Sequence, residues 1–226
     1  GKTVLITHLL RDLYLGTGLC SKAIEGPVLV VSEDPLTHWA GREQDSEFDQ
    51  RVLFLRRPSF ARCDDAQWHR LIQEITTKVR DSNAELVIID ALPNIWAVDN
   101  ENDAAQVSEA LSIMRDISEA GAALLLVHHP RKGESGIQTA SRGSGALPSF
   151  ADILVDLGKL PSDGEHSKRR LLKALRWRQS QKSSLRLIEH SATRKSWNFG
   201  LFNSQSVKTS SGISCEMVPP RVAGPS

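Results

Sequence analysis

The sequence predicts an α/β protein whose core is a mostly parallel sheet flanked by helices. Short, unbroken apolar runs at residues 28–31, 86–89 and 123–127 are typical of strands that are buried on both faces. Helical patterns separate these runs, and alternation of strands with helices favours parallel pairing. Polar residues follow each run directly, and in such sheets ligands bind beyond the carboxyl ends of the strands.

The first element is a predicted helix over residues 2–15. Leu5, Leu9 and Leu13 recur at spacings of four residues on one face, and Gly16 provides a stop signal. An apolar face of this kind is expected to pack on the sheet.

Two further helices have clear start signals. Asp64 with Gln67, and Asp103 with Gln106, have the spacing of a capping box, in which side chains satisfy backbone amides of the first turn. The helices are predicted over about residues 64–82 and 104–120, and a further strand is predicted at 51–55.

The character of the sequence changes after His129. Residues 130–149 are rich in Gly, Ser and basic residues and predict a loop. Antiparallel strands, added at the edge of the sheet, are then predicted in ADILVDLGKL, RRLLKALRW and SSLRLIEH. We expect one domain over residues 1–202, followed by a disordered tail over residues 203–226 that is rich in Ser, Pro and Gly.

The composition is that of an ordinary globular protein, with 226 residues, of which 40% are hydrophobic and 24% charged. A formal net charge of +1 gives no overall attraction to nucleic acid or membrane, so any such surface must be local. Three widely spaced cysteines favour a reducing compartment over a disulfide framework or a zinc site. No stretch approaches the roughly 18 apolar residues of a membrane span, and no signal peptide is visible, so we expect a cytoplasmic protein without membrane contact.

Gly1-Lys2-Thr3 matches the last three positions of the phosphate-binding loop G-x-x-x-x-G-K-[ST]. In that loop, backbone amides surround phosphate oxygens, the Lys reaches the β- and γ-phosphates, and the hydroxyl binds Mg²⁺. The helix that follows would direct its N-terminus at the anion. The tripeptide also occurs by chance in many proteins, so the motif needs a partner elsewhere in the chain.

Asp90 is the partner that this motif requires. P-loop folds hold Mg²⁺ with a second carboxylate at the end of a buried strand, and Asp90 ends the run LVIID. Because Ala91 follows it, a water-activating glutamate must come from elsewhere. Glu33, which follows the neighbouring apolar run, is the candidate base. The alternative is that Glu33 and Asp34 form an ordinary solvated turn.

His128 and His129 follow the third run. Consecutive strand side chains point in opposite directions, so one histidine is expected to face the pocket. A sensor of the γ-phosphate suits this position better than a metal pair, which would need further ligands; a plain histidine at the end of a strand is the alternative. Arg142, in the loop SRGSGAL, could reach a phosphate across a subunit boundary or could be a solvated loop charge.

A basic segment lies at residues 159–186. It contains nine Lys or Arg against two acidic residues, Asp163 and Glu165, for a local charge of +7. The segment could contact a nucleic-acid backbone. Charged edge strands that discourage aggregation would have the same composition, so both interpretations stay open.

Taken in order, LVVSEDP, LVIIDALPNIW, LLLVHHPRKG, SRGSGAL and ADILVDL resemble the RecA-like P-loop ATPases of the AAA family. The likeness is greatest to the RepA type of hexameric replicative helicase, and it covers about residues 1–160. It implies a RecA-like core, hydrolysis of ATP with Mg²⁺, and a homo-oligomeric ring with nucleotide sites between subunits.

The resemblance also implies the residues that bind the nucleotide and the metal. Gly1 and Lys2 match the phosphate-binding loop, and Thr3 matches its Mg²⁺ ligand. Asp90 matches the aspartate that is associated with Mg²⁺.

The catalytic residues follow from the resemblance in the same way. Glu33 matches the glutamate that serves as base, and His129, or with a poorer match His128, matches the sensor histidine. Arg42 falls where the family has an arginine that contacts phosphate. Arg142 matches the arginine that acts in trans.

We therefore expect an ATP-hydrolysing motor domain that contacts the backbone of single-stranded DNA. The alternative is a nucleotide-regulated DNA-binding or assembly factor without helicase activity; a small-molecule kinase is disfavoured because no acceptor-binding lid is recognisable. The first half of the phosphate-binding loop and the strand before it are not part of the sequence. We therefore also expect a fragment of a longer gene product that by itself binds nucleotide poorly or not at all.

Overall fold

The computed structural model describes residues 2–18, 20, 22–46, 49–56, 62–129, 145–159, 169–176, 184–191 and 196–202. The helices are α1 (Lys2–Leu15), α2 (Leu36–Ser46), α3 (Asp65–Ser82), α4 (Ala104–Ser112), α5 (Arg115–Glu119) and α6 (Ala146–Phe150). The strands are β1 (Val28–Ser32), β2 (Val52–Arg56), β3 (Leu86–Asp90), β4 (Ala123–Leu126), β5 (Ile153–Lys159), β6 (Arg169–Arg176), β7 (Ser184–Ser191) and β8 (Ser196–Phe202). In the described part of the chain, every helix is too short or too polar to cross a membrane.

The first four strands form a parallel sheet in the order β2-β1-β3-β4. The chain crosses from β1 to β2 in one direction and then returns past β1 to β3 and β4. Because such crossovers are right-handed, the reversal sends α2 to one face of the sheet and α3, α4 and α5 to the other. The strand order thus switches between β1 and β3, and a crevice at such a switch point is the usual ligand site of an open parallel sheet.

Alternating strand residues supply the cores on the two faces. Val30 and Ile88 pack in the smaller cluster with Ile6 and Leu10 of α1. Val31, by contrast, packs in the larger cluster with α3, α4 and α5. The period of two along each strand explains why the strands are apolar without interruption, since both faces are covered.

The start of α3 confirms the predicted capping box. Asp64 Oδ1 accepts a hydrogen bond of 2.7 Å from Gln67 N, and Gln67 Oε1 accepts one of 3.1 Å from Asp64 N. Along the buried stripe, Trp68 is 1% exposed, and its Nε1 donates to Ala110 O at 3.0 Å. This layer therefore has both the local signals and the packing that a stable helix requires.

The predicted helix over residues 104–120 is divided into α4 and α5. Met114 N bonds to Leu111 O at 3.1 Å and Ile117 N to Met114 O at 3.2 Å, a three-residue spacing that tightens the chain at the break. Asp103 caps α4 as predicted, but the side chain of Gln106 accepts from Asn100 N instead of closing the box. The helix α2 was not predicted from the sequence.

The C-terminal strands pair antiparallel, as predicted, but the described residues form a separate sheet in the order β5-β6-β7-β8. Asp156 and Lys173 lie directly opposite each other, an arrangement that favours this register. α6 begins inside the predicted loop, and its Leu147 and Phe150 pack on the larger cluster. The predicted tail, residues 203–226, lies outside the described residues, so the domain boundary at residue 202 stays a prediction.

Candidate functional site

Polar residues meet at the carboxyl ends of β1, β3 and β4. Ser32 is the register partner of Asp90, and both side chains are buried. Beyond β4, Val127 N donates to Ile89 O at 2.9 Å, and Val127 O accepts from Leu92 N at 2.9 Å. These bonds hold the chain before the two histidines beside the end of β3, at the switch point of the sheet.

The N-terminus of α1 lies at the same rim. The Thr3 hydroxyl lies close enough to the Asp90 carboxylate to lower its pKa. Lys2 Nζ lies 3.5 Å from His129 Nδ1; since a charged lysine can only donate, this contact favours the tautomer with its proton on Nε2. Ile6 and Leu10, which are 4% and 0% exposed, anchor the helix on the sheet and thereby fix this placement.

Asp90 is a buried carboxylate in a site of mixed charge. It is 5% exposed, and burial raises its pKa above the ordinary value of 3.8. The nearby Thr3 hydroxyl opposes this shift in the pKa, the Asp34 charge adds to it, and His129 and Arg42 oppose it. A cation beside Asp90 would favour the ionised form that burial disfavours.

Arg42 reaches the rim from α2. Its Nη2 donates to Asp34 Oδ2 at 2.7 Å, and its guanidinium carbon lies 4.6 Å from the centroid of the Trp39 ring. Asp34 N in turn donates to Ser32 Oγ at 3.1 Å, which ties Asp34 to the end of β1. Arg42 Nη1 is buried and has no hydrogen-bond partner among the described residues. A buried cationic donor of this kind suits a phosphate oxygen.

Glu33 follows β1 and contacts the turn that follows β3. Its Oε1 accepts a hydrogen bond of 2.6 Å from Asn94 Nδ2. Asn94 ends a short 3-10 turn, Leu92–Asn94, that comes directly after Asp90 and Ala91. The candidate base and the candidate magnesium ligand are therefore connected through neighbouring strands.

His128 contacts Glu101 and Trp96. Its Nε2 lies 3.6 Å from Glu101 Oε2, and its ring is 6.3 Å, edge to face, from that of Trp96. Burial lowers the pKa of His128, and the Glu101 charge partly opposes this shift. The geometry thus favours His129 over His128 as the histidine that faces the pocket.

Six of the predicted site residues meet at this rim: Lys2, Thr3, Glu33, Arg42, Asp90 and His129. Gly1 and Arg142 lie outside the described residues, and the roles assigned to all of these side chains stay predictions.

Sequence reasoning missed Asn94 and Trp39 as parts of the site. The run LPN after Ala91 does indicate a turn at the rim. No sequence signal indicates that the amide of this turn contacts Glu33, or that Trp39 lies under a guanidinium group.

The residues at the rim fit a nucleotide with Mg²⁺. Among the described residues, no group of three or more His, Cys, Asp or Glu side chains could hold a metal by itself. Mg²⁺ does not need such a cage, because it commonly keeps several waters and binds one or two carboxylates together with phosphate oxygens. Thr3 and Asp90 would supply the protein ligands, while Lys2, the N-terminus of α1 and Arg42 Nη1 would bind the anion.

Comparison with known proteins identifies the fold and the family. A family model described as an AAA domain matches residues 1–135, more than half of the chain. Among solved structures, the KaiC-like protein PH0186 from the hyperthermophilic archaeon Pyrococcus horikoshii OT3 superposes with a TM-score of 0.55 at 15% identity, covering 90% of this chain and 84% of that chain. No curated protein matches the sequence. The RecA-like fold predicted from the sequence is thereby confirmed, and the chain belongs to the AAA domain family of P-loop ATPases.

Proposed function

We propose that this chain binds ATP with Mg²⁺ at the β1–β3 switch point and hydrolyses it as a RecA-like motor domain. The observation that carries the proposal is the placement of Lys2 and Thr3, at the N-terminus of α1, beside the end of β3: Lys2 Nζ lies 3.5 Å from His129 Nδ1, and Thr3 lies by the buried Asp90 carboxylate. Lys2 and Asp90 are 88 positions apart in the sequence, yet they and Thr3 lie at the edge of the sheet where this fold class binds ligands. Membership of an ATPase family supports the same conclusion.

Each side chain at the rim has a distinct task. Lys2 Nζ binds the β- and γ-phosphate oxygens, and Arg42 Nη1 donates to the same anion. Thr3 and Asp90 would hold Mg²⁺, which would neutralise charge on these phosphates.

Glu33 serves as the base. As the oxygen of water bonds to the γ-phosphorus and the bond to the ADP oxygen breaks, Glu33 takes the proton that the water loses. Nδ1 of His129 lies toward Lys2, which leaves Nε2 to bind the γ-phosphate or the attacking water.

We further propose that the motor is of the RepA replicative helicase type, acts on single-stranded DNA and works as a homo-oligomeric ring. The ordered set of sequence motifs and the basic segment 159–186 support this part of the proposal. Arg142 would then act on the nucleotide of the neighbouring subunit.

Two substitutions test the site. Lys2→Ala and Glu33→Gln in the full chain should each reduce kcat for ATP hydrolysis by a factor of about 100 or more, because they remove a phosphate contact and the base. Lys78→Ala and Glu74→Gln are matched controls, since both residues are exposed on α3, far along the chain from the rim. Phosphate-release kinetics that show no loss in either site variant would overturn the proposal.

A second experiment separates a helicase from an assembly factor. ATP hydrolysis and displacement of a labelled strand are measured with single-stranded and forked DNA. Stimulated hydrolysis together with displacement supports the RepA-type assignment. Stimulation without displacement favours the assembly factor, and hydrolysis that ignores DNA contradicts both.

A further inference from the structure

The candidate base Glu33 is held by an amide from the turn that follows β3. Asn94 Nδ2 donates to Glu33 Oε1 at 2.6 Å, a short bond of the kind that an ionised acceptor makes. The two residues are 61 positions apart in the sequence. The bond therefore depends on the β1–β3 pairing and on the turn after β3.

Backbone hydrogen bonds and buried side chains fix the position of the turn that carries Asn94. Leu92 N donates to Val127 O at 2.9 Å, and Ile95 N and Trp96 N both donate to Leu92 O, at 3.0 and 3.1 Å. Leu92, Ile95 and Trp96 are 0%, 1% and 0% exposed, whereas Asn94 itself is exposed at the rim. A polar side chain on such a support can fix the orientation of a neighbour.

We propose that Asn94 is a positioning residue that orients the Glu33 carboxylate for attack by water. The proposal rests on the proposed function, in which Glu33 is the base. Occupation of Oε1 by the amide leaves Oε2 to take the proton from water and limits rotation of the carboxylate. Asp90 is assigned to Mg²⁺ and Ala91 follows it, so no second carboxylate at the end of β3 can take over this task.

The rival interpretation is that Asn94 only completes its own turn. Asparagine is common in turns because its side chain is short and polar. Asn94→Asp distinguishes the two roles. Aspartate keeps the size and the turn preference but replaces the donor with a second negative charge against Glu33.

The experiment measures ATP hydrolysis by the wild-type chain and by Asn94→Ala, Asn94→Asp and Glu33→Gln, with kcat and KM obtained at each pH. Asn94→Ala should lower kcat by about tenfold, because a hydrogen bond to a charged group is lost, and should change KM little. Asn94→Asp should lower kcat further. In both variants the loss should fall on kcat at every pH while KM stays near the wild-type value, a split that a purely structural defect of the turn would not give.

Two additional variants complete the test. Asn102→Ala is the matched control, because Asn102 is exposed and its hydrogen bond to Asn100 uses only backbone N–H, which alanine retains. In the Glu33→Gln background, Asn94→Ala should cause no further loss, since its effect acts through Glu33.

The outcomes separate this inference from the proposed function. If Glu33→Gln is inactive while Asn94→Asp has wild-type kcat and pH profile, Asn94 is a turn residue only and the inference is wrong. If Glu33→Gln hydrolyses ATP like the wild type, Glu33 is not the base and the proposed function fails first.

Discussion

The two faces of the parallel sheet differ in what they contribute. The layer formed by α3, α4 and α5 holds the larger buried cluster, and α3 has a complete capping box. The layer formed by α1 and α2 has the smaller cluster, yet it brings Lys2, Thr3 and Arg42 to the rim. It also includes buried polar groups, such as Asp12 at 1% exposure, where the opposite layer is almost wholly apolar.

This difference indicates a division of labour between stability and binding. Buried apolar area supplies most of the free energy of folding, so the α3 side is expected to dominate stability. Charged donors at a rim contribute little to folding but much to the binding of an anion. Substitutions on the two faces should therefore change different measured quantities.

The largest expected effect is on the stability of the α3 side. Trp68→Ala should reduce the free energy of unfolding by about 3–5 kcal/mol, because a buried indole is lost and Ala110 O loses its donor. Urea denaturation measures the change, with Trp68→Phe as a milder variant in case alanine prevents folding. His69→Ala, at an exposed neighbouring position, should stay within about 0.5 kcal/mol of the wild type. Equal losses in the Trp68 and His69 variants would remove the distinction between the faces.

The next effect is on ATP binding at the α2 side. Arg42→Lys keeps the charge but loses the planar donor pair, so the affinity for ATP should fall by roughly 10- to 100-fold, as expected when a charge-assisted hydrogen bond is lost. Stability should change by less than about 0.5 kcal/mol. Titration with a fluorescent ATP analogue and urea denaturation give the two values, and Arg80→Lys on α3 is the control. A stability loss with unchanged affinity would mean that Arg42 only packs on Trp39.

A smaller effect is expected at the start of α3. Asp64→Ala removes the acceptor for Gln67 N and should cost about 1 kcal/mol of stability, while kcat for ATP hydrolysis should stay unchanged. Asp65→Ala is the matched control. Asp65 also lies in the first turn of α3, but Asp64 and not Asp65 is the N-cap residue whose side chain accepts from a backbone amide. If Asp64→Ala lowers kcat as well as stability, the α3 layer contributes to the activity of the site and the two faces do not have separate roles.

The smallest expected effect is a gain in stability within the site. Burial raises the pKa of Asp90 in the folded state, so its ionisation destabilises the fold: stability is highest below the unfolded value of 3.8 and falls as pH rises through the raised folded value. Asn cannot ionise, so Asp90→Asn should raise the Tm at pH 7, by about 2–4 °C per kcal/mol gained in a domain of this size.

The gain from Asp90→Asn should shrink as the pH falls toward 3.8, the ordinary value of the carboxyl. Thermal scans at several pH values check this trend, and Asp81→Asn on exposed α3 is the control. A lower Tm for Asp90→Asn at neutral pH would show that ionised Asp90 stabilises the fold. Hydrolysis should be lost in any case, because a magnesium ligand is removed.

The success of sequence analysis followed the same division between the faces. α3 was predicted with its capping box because period, cap and buried stripe are all local signals within about 20 residues. α2 was missed because Trp39 is its one buried apolar residue among those described, too few to give a helical period. The break between α4 and α5 was missed for the opposite reason, since the apolar period continues through it.

Which residues meet at the rim was predictable only in part. Lys2, Asp90 and His129 could be brought together in advance, because the carboxyl ends of parallel strands and the following helix N-termini share one edge. The C-terminal strands were predicted to extend the edge of the parallel sheet, but they form a separate sheet. The alternation of apolar and polar residues along a strand indicates the strand but does not specify its pairing partner. The contacts of Asn94 with Glu33 and of Arg42 with Asp34 could not be predicted from the sequence and are seen only in the tertiary structure.

By itself, the sequence determined the alternation of strands and helices and the edge of the sheet where the polar residues gather. Both follow from periodicity and from residues adjacent in the chain. The tertiary structure decided which histidine faces Lys2, that α2 places Arg42 over Trp39, and that an amide from the turn after β3 holds the acid after β1. These contacts join residues far apart in sequence, and hydrogen-bond geometry at that range depends on strand order and crossover direction, which no local pattern encodes.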